Sequence, residues 1–242
     1  MRRILITGSN RGIGLELVER YLQHDDTFIF ATCRHPSDAT TLNSLASQYP
    51  ERLKIIQLDV TDQHSIDEAV RQIKDAADGI EMLVNNAGIL PGGVAGYEKN
   101  SATLGYLEAE AIEAIFRVNT VAPMMIAQAF SDLLRKGTNA RLINVTSDAG
   151  SIAMTHQSAY HYGYKASKAA LNMITRCLAT DFRADGVIVI SIHPGWIQTD
   201  MGGPHATLTP VETLPTMMNV VDGLTLHDSG SFLNWDGKSV PW

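Results

Sequence analysis

The sequence has 242 residues, of which 45% are hydrophobic and 19% are charged. This length allows a sizeable core, and this composition is ordinary for a globular protein and argues against general disorder. The formal net charge is -7 and no block of Lys and Arg occurs. Nucleic acid and anionic membranes are therefore poor partners on electrostatic grounds.

Signals for secretion, for membrane insertion and for a disulfide framework are weak in this sequence. The first apolar run, within MRRILITG, is too short for a secretory signal and is typical of a buried strand. No stretch approaches the roughly 18 apolar residues needed to span a bilayer. The two cysteines, Cys33 and Cys177, lie far apart in the sequence, which makes a disulfide framework improbable and predicts a reducing, cytoplasmic location.

Strand-like apolar runs alternate with amphipathic helical patterns along the whole chain. Strands are predicted at residues 4–7, 28–32, 53–58, 82–85, 140–146 and 187–192, with a weaker one near 231–233. Helices are predicted at residues 13–23, 63–76, 109–136 and 158–183. Parallel strands need helical crossovers, so we expect an α/β protein of Rossmann type, a doubly wound parallel sheet of about seven strands with helices on both faces. No linker or repeat divides the chain, which predicts one domain over residues 1–242.

Two segments interrupt the alternation and are predicted to be loops. Residues 89–105 are rich in small side chains, and residues 196–215 contain several Pro, Gly and Thr residues. Both follow the carboxyl end of a predicted strand, where ligands bind in open α/β sheets. We therefore expect these segments to wall a substrate site, together with residues 151–163 and an extension of the second segment to residue 218.

A glycine-rich turn, TGSNRGIG at residues 7–14, joins the first strand to the first helix. Glycines permit a tight turn and a close backbone approach, and the helix N-terminus directs free N–H groups at an anion. The spacing G-x-x-x-G-x-G differs from the commoner G-x-G-x-x-G. A turn of this kind can be a plain connection, but its place after the first strand favours a dinucleotide pyrophosphate site.

Further motifs follow the glycine turn in an order that identifies a family. They are LDVT at 58–61, NNAG at 85–88, Asn119, Ser147, YKASK at 164–168 and Pro194-Gly195. With these motifs the sequence resembles the short-chain dehydrogenase/reductase family over nearly its whole length. The segment PGWIQTDMGG at 194–203, with the ending WDG…PW at 235–242, is similar to the C-factor and Sniffer-like carbonyl reductase branch.

The resemblance implies a nicotinamide dinucleotide cofactor and a set of residues that bind it. Asp59 would accept from the adenine amino group, and the backbone of residues 85–88 would lie against a ribose, although it could equally stabilise the sheet. The full predicted set is Gly8, Ser9, Asn10, Arg11, Gly12, Ile13, Gly14, Arg34, Asp59, Val60, Asn86, Ala87, Gly88, Tyr164, Lys168, Pro194, Gly195, Ile197 and Thr199.

The end of the second strand indicates which dinucleotide is bound. An acidic residue there would bind the ribose 2′-hydroxyl of NAD, but this position holds Cys33, followed by Arg34. Arg11 supplies a second cation within the glycine turn. The planar guanidinium matches a 2′-phosphate, so NADP(H) is favoured over NAD(H), unless both arginines are simply solvated surface charges.

Tyr164 and Lys168 lie four residues apart in a predicted helix and therefore project from one face. A phenol of pKa about 10 is a poor acid or base at neutral pH. An ammonium about 4 Å away, at an effective dielectric near 20, would contribute roughly 4 kcal/mol, an upper value of nearly three pKa units. Tyr160 and Tyr162 lack a Lys four residues later, which selects Tyr164 as the general acid/base.

Two polar residues are expected to assist Tyr164. Ser147 ends the fifth strand, where its hydroxyl could stabilise a developing alkoxide, with Ser151 as a rival. Asn119 is unfavourable in mid-helix, which indicates a local kink, and in the family this residue relays protons to the Lys through a water. The segment between Ser147 and Tyr164 is about one helical turn longer than in the family, with the extra residues around 153–161. That segment contains His156 and His161, which we assign to loop packing rather than substrate contact.

The predicted function is the NADP(H)-dependent reduction of an aldehyde or ketone to an alcohol, or the reverse. Eight scattered histidines without metal-ligand spacing give no metal site and argue against a metal hydrolase. The resemblance also implies a homodimer or homotetramer that pairs through the long helices. A dinucleotide-binding signalling protein of C-factor type, with incidental reductase activity, remains the alternative.

Overall fold

The computed structural model describes residues 1–94, 102–155 and 160–242, and its centre is a parallel sheet. Seven strands lie in the order β3-β2-β1-β4-β5-β6-β7, and every pair of neighbours is parallel. The strands are β1 (Arg2–Thr7), β2 (Thr27–Cys33), β3 (Leu53–Gln57), β4 (Met82–Asn85), β5 (Arg141–Val145), β6 (Ile188–His193) and β7 (Phe232–Asn234). The predicted strands match them to within two residues at each end.

Helices cover both faces of the sheet, as predicted for a doubly wound fold. Side chains alternate along each strand, so that in β1 Ile4 and Ile6 enter one core cluster and Leu5 enters the other. The first cluster is closed by α1, α2 and α8, and the second by α3, α5, α6 and α7. The helices are α1 (Gly12–Tyr21), α2 (Thr40–Gln48), α3 (Gln63–Lys74), α4 (Ala109–Phe116), α5 (Ala122–Ala129), α6 (Ser131–Lys136), α7 (Tyr162–Asp181) and α8 (Pro210–Gly223).

The prediction of one continuous helix over residues 109–136 is wrong. The segment divides into α4, a π-helical turn over Arg117–Val121, α5 and α6. Pro123 has no N–H to donate to the carbonyl of Asn119, so the ordinary ladder fails at this point. The irregularity expected at Asn119 is this π-helical turn.

Two helices were not predicted. Helix α2 lies between β2 and β3, and α8 begins inside the predicted loop 196–215 and runs on beyond it. A capping box starts α8, because Glu212 accepts from the backbone N–H and the hydroxyl of Thr209, each over 2.7 Å. Thr and Pro were interpreted as loop residues there, although Thr209-Pro210 is also a typical helix start.

In the part of the chain that the structure describes, no helix combines the length and the apolar character needed to cross a bilayer.

Candidate functional site

The predicted site residues meet at one edge of the sheet, where the parallel strands end. The glycine turn follows β1, the segment 86–88 follows β4, Ser147 follows β5, and Pro194 follows β6. Since β1, β4, β5 and β6 are neighbours, these turns form one continuous rim. This rim is where an open α/β sheet binds its ligand.

The glycine turn depends on residues that have no side chain. Gly8 and Gly12 have φ values of +68° and +55°, which favour glycine. A Cβ on Gly14 would collide with the carbonyl oxygen of Gly8 and with the Asn86 side chain. Asn86 fastens the turn, because its Nδ2 donates to the carbonyl oxygens of Thr7 and Gly8 over 2.9 and 3.0 Å.

The outer part of the turn is open to a ligand, whereas Ser9 is not. The Ser9 hydroxyl is fully buried and donates to the Ile6 carbonyl over 2.8 Å, so its side chain holds β1 to the turn. Arg11, at the start of α1, caps no backbone N–H with its side chain, which leaves the first amides of the helix for an anion. Asn10 is exposed, and Ile13 is partly buried.

The loop after β6 covers the other side of the turn. Pro194 and Ile197 are buried, and Gly195 has φ +95° with the Trp235 ring against it. A Cβ on Gly12 would contact only the Thr199 side chain, at 3.7 Å. The guanidinium of Arg11 also lies 3.7 Å from the carboxylate of Asp200, both exposed.

The second and third strands end in a charged corner. Arg34 is exposed, whereas Cys33 before it is buried. Burial opposes ionisation of Asp59, but hydrogen bonds from the hydroxyl and N–H of Thr61, with the nearby charge of Arg34, hold the pKa of its carboxyl below the usual value. Asp59 is not the cap of α3; Asp62 takes that role by accepting from the backbone N–H of His64. Val60 is partly buried against the core.

Tyr164 and Lys168 lie on the first half of α7. Nζ of Lys168 donates to the carbonyl oxygen of Val145 over 2.9 Å and lies 5.8 Å from the centre of the Tyr164 ring. Burial lowers the pKa of Lys168 to about 8 and raises the pKa of Tyr164 to about 12. The phenol pKa is therefore raised by burial rather than lowered as expected, and the Lys168 ammonium donates to Val145 instead of to the phenol oxygen.

Ser147 is linked to Tyr164 and to its own neighbours. A hydrogen bond with Ser147 opposes the rise in the Tyr164 pKa. The Ser147 oxygen accepts from the N–H of Ala149 and donates to Oδ1 of Asp148, each over 3.1 Å. Its rival, Ser151, is buried and accepts from the N–H of Met154, so it holds the following segment. Of the two serines, Ser147 is the one with a hydrogen bond to Tyr164.

Asn119 is fully buried behind the site, in the π-helical turn. Its Oδ1 accepts from the N–H of Ile89 over 2.8 Å, and its Nδ2 donates to the Ile89 carbonyl over 2.9 Å and to Ser167 over 3.1 Å. A Cβ on Gly88 would lie 3.3 Å from Oδ1 of Asn119 and 3.7 Å from Nζ of Lys168. Asn119 thus joins the end of β4, through residue 89, to α7.

The structure describes only part of the segments predicted to line the substrate site. Residues 95–101 and 156–159, which include His156, lie outside the described residues. The segment 151–155 is held by the carbonyl oxygen of Trp242, which accepts from the N–H of Ala153 over 2.9 Å. His161 has a left-handed φ of 64°, and its N–H donates to the Ala102 carbonyl, which ties two walls together.

Sequence reasoning missed three residues at this rim. Val145 orients Lys168 through its carbonyl, for which no sequence signal exists. Asp148 and His193 adjoin Ser147 and lie 3.7 Å apart, measured from Oδ1 to Nε2. Asp148 comes three residues after β5, and His193 is the last residue of β6. A titratable residue near the carboxyl end of a buried strand is a signal that could have found them. Roles in proton transfer and cofactor binding stay predictions for the residues assigned above.

In the described part of the chain, no group of three or more His, Cys, Asp or Glu side chains could hold a metal ion.

Comparison with known proteins agrees with this arrangement. A family model described as short chain dehydrogenase matches residues 2–207. An uncharacterised oxidoreductase of Schizosaccharomyces pombe is 32% identical over 254 residues, covering 98% of this chain and 96% of that protein. C-signal of Myxococcus xanthus is 39% identical over 163 residues, covering 67% of this chain and 93% of that protein.

Solved structures of carbonyl reductases have the same fold. The NADPH-bound carbonyl reductase from chicken fatty liver is 37% identical, with a TM-score of 0.91 over 100% of this chain and 99% of the other. The carbonyl reductase Sniffer of D. melanogaster is 32% identical, with a TM-score of 0.92 over 100% of both chains.

Proposed function

The chain belongs to the short-chain dehydrogenase family, and from that premise we propose that it is an NADP(H)-dependent carbonyl reductase. It reduces an aldehyde or ketone to an alcohol and can catalyse the reverse oxidation. The observation that carries the proposal is the convergence of Tyr164, Ser147 and Lys168 at the carboxyl end of β5. An oxidoreductase of this family is expected to hold its cofactor and its proton donor at that edge.

The residues present fit a nicotinamide dinucleotide. The turn after β1 offers free helix N-terminal amides, and a side chain on Gly14 or Gly88 would press against Asn86 or Asn119. Lys168 has three N–H donors, and the described residues supply one acceptor, Val145. The remaining donors suit the hydroxyls of the nicotinamide ribose. The bound dinucleotide would supply the hydride.

Preference for NADP(H) over NAD(H) is supported by the charged corner beyond β2. Arg34 is exposed beside Asp59, and the neighbouring position that would carry an acidic residue in an NAD site holds the buried Cys33. In the proposed complex Arg34 would bind the 2′-phosphate, with Arg11 as a second cation. The structural neighbour from chicken fatty liver contains NADPH.

In the forward reaction the protein handles the oxygen of the substrate. The Ser147 hydroxyl turns from Asp148 to donate to the carbonyl oxygen, and Tyr164 gives that oxygen its phenolic proton as negative charge develops. The carbonyl carbon gains the hydride and the oxygen gains the proton, which balances the reduction. Lys168 lies below the ring and offsets the negative charge left on Tyr164. Asn119 holds the backbone beside Lys168 in place.

The test is turnover of a panel of aldehydes, ketones and quinones by the purified protein. Oxidation of NADPH and of NADH is followed by the absorbance of the reduced nicotinamide, with product identified by mass. We expect turnover of apolar carbonyl compounds with a higher kcat/KM for NADPH. No turnover of any class, or a clear preference for NADH, would contradict the proposal.

A second candidate function is favoured by one comparison. The match to C-signal supports a dinucleotide-binding signalling protein whose reductase site is incidental. Tight NADPH binding without turnover across the panel is the outcome that supports this candidate. The Ser147, Tyr164 and Lys168 set favours the enzyme, because a binding protein needs no positioned proton donor.

We also propose a homodimer or homotetramer in a cytoplasmic location. Val121 at the end of the π-helical turn, Met124 on α5 and Met173 on α7 leave 43%, 40% and 65% of their surfaces exposed, which supports pairing through this region. Cys33 and Cys177 are both free thiols, which is compatible with a reducing compartment. Light scattering on the purified protein measures the assembly directly.

A further inference from the structure

Asp148 places a carboxylate at the opening of the site, directly after Ser147. Its Oδ1 accepts the hydroxyl proton of Ser147 over 3.1 Å, and its side chain is 49% exposed. It therefore faces solvent and the proton-donating hydroxyl together. The mechanism proposed above makes no use of its charge.

The charge of Asp148 also reaches Tyr164. Among the described residues it is the one acidic group that acts on the phenol, and it raises the pKa of Tyr164 together with burial. Both groups that donate to the substrate oxygen, Ser147 and Tyr164, thus lie in the field of one carboxylate. A carbonyl group held by both hydroxyls must lie in the same field.

In the described part of the chain, no Lys or Arg forms an ion pair with this carboxylate. Lys168 is directed away from it, at the carbonyl of Val145. The remaining neighbour is His193, whose Nε2 lies 3.7 Å from Oδ1 of Asp148. Burial lowers the pKa of His193, against the opposing charge of Asp148, and its Nδ1 has no partner among the described residues. A neutral imidazole leaves the charge of Asp148 in place.

We infer that Asp148 is a specificity-determining residue that selects carbonyl substrates by charge. Substrates with a carboxylate or phosphate beside the carbonyl are disfavoured, and substrates with a cationic group there are favoured over neutral ones. This inference rests on the proposed function, because it concerns the orientation of a carbonyl group between Ser147 and Tyr164. It assigns a role to a residue that transfers no proton and binds no cofactor.

The test compares substrates that match in shape and differ in charge. Phenylglyoxylate is paired with its methyl ester, and N-methyl-3-acetylpyridinium is paired with 3-acetylpyridine, all at neutral pH with saturating NADPH. The charged-to-neutral ratio of kcat/KM within each pair removes most of the general effect of a substitution on turnover. Asp148→Asn keeps an oxygen that can accept from Ser147, and Asp148→Glu keeps the charge.

In Asp148→Asn we expect the relative kcat/KM of the anion to rise about tenfold and that of the cation to fall by a similar factor. A change of this size corresponds to unit charges about 6 Å apart at a partly exposed site. Asp148→Glu should keep the ratios of the unmodified protein. The control is Asp25→Asn, because Asp25 is fully exposed between α1 and β2, at the opposite edge of the sheet, and its loss changes net charge equally.

The outcomes separate the inference from the function on which it rests. Opposite shifts for the anion and the cation in Asp148→Asn, absent in Asp25→Asn, support charge selection. Unchanged ratios, or shifts of the same sign in both pairs, overturn it while the reductase function stands. No turnover of any of the four compounds by the unmodified protein, nor of the wider panel, overturns both.

Discussion

The ammonium of Lys168 donates a hydrogen bond to the carbonyl oxygen of Val145 over 2.9 Å, which fastens the first half of α7 to the end of β5. The buried position lowers the pKa of Lys168 to about 8. The group is therefore charged below that pH and loses its proton as the pH rises through it. In the proposed mechanism this charge offsets the negative charge left on Tyr164, so its loss should slow carbonyl reduction.

We expect kcat/KM for carbonyl reduction to be level below pH about 8 and to fall above it. Arg stays charged at every accessible pH, so in Lys168→Arg the residual activity should lack this decline. The measurement is a pH profile at saturating NADPH for both proteins. An unchanged decline in Lys168→Arg would assign the titration to another group.

Replacing Tyr164 by Phe removes the proposed proton donor and little else. General acid catalysis contributes about 10²- to 10⁴-fold, so kcat should fall by at least two orders of magnitude. Binding of NADPH, measured by calorimetry, should change little. Tyr162→Phe, two residues earlier and exposed on the same helix, is the matched control and should keep its activity. Near-normal turnover in Tyr164→Phe excludes the mechanism.

Replacing Arg34 by Ala should weaken NADPH binding and spare NADH. Hydrogen bonds from a guanidinium to a phosphate contribute about 1.5–3 kcal/mol, which corresponds to roughly a 10- to 150-fold rise in Kd for NADPH. The Kd for NADH should stay within about twofold, because NADH has no 2′-phosphate. Arg183→Ala changes an exposed arginine just after α7 and serves as the control. An equal loss of affinity for NADPH and NADH would show that Arg34 does not bind the 2′-phosphate.

Hydrogen bonds between buried side chains join β5 and β6 to α7, and Thr175 on α7 takes part in the bonds to both strands. Its Oγ1 accepts from Nδ2 of Asn144 over 2.9 Å and from the hydroxyl of Ser191 over 2.8 Å. Thr175→Val keeps the shape but leaves both donors unpaired, so the free energy of unfolding should fall by about 2–4 kcal/mol.

Thr180→Val tests whether that loss comes from the shared acceptor. Thr180 lies further along α7 and is exposed. In the described structure, its side-chain hydroxyl donates to the Arg176 carbonyl and makes no other hydrogen bond. Its replacement should change stability by less than about 0.5 kcal/mol. Urea denaturation of the two variants provides the comparison. Similar losses in both would mean that the substitution in the helix, rather than the hydrogen bonds, is responsible.

Much of the sheet was predictable because strands buried on both faces carry near-continuous apolar runs. The order of motifs at the strand ends then placed the glycine turn, Ser147 and Tyr164 on one rim. Helix α8 was missed because Thr209-Pro210 marks both a loop and a helix start, and only the reach of Glu212 back to Thr209 decides between them. The break in the predicted helix 109–136 was missed although Pro123 marks it in the sequence. The contacts that Asn119 then makes with residue 89, which is distant in sequence, follow only from the fold.

Electrostatics was the least predictable part of the site. The spacing of Tyr164 and Lys168 indicated a close ammonium that lowers the phenol pKa, but the spacing fixes only the helix face. The direction of Lys168 is decided by the carbonyl of Val145, and its burial by the packing of α7 on the sheet. Asp148 was passed over because its field on Tyr164 follows from the fold rather than from its position in the sequence.

The order of the strands also determines when each part of the sheet can form during synthesis of the chain. Strand β1 pairs with β4, so that Ile4 meets Met82 only after the intervening crossovers have left the ribosome. The rim is completed later still, by the loop that carries Thr199 over Gly12. Until β5 emerges, the nascent chain exposes the apolar edge of β4, and until the later loop emerges the glycine turn lacks one of its walls. We therefore expect the growing polypeptide to depend most on chaperones between the synthesis of β4 and that of β5.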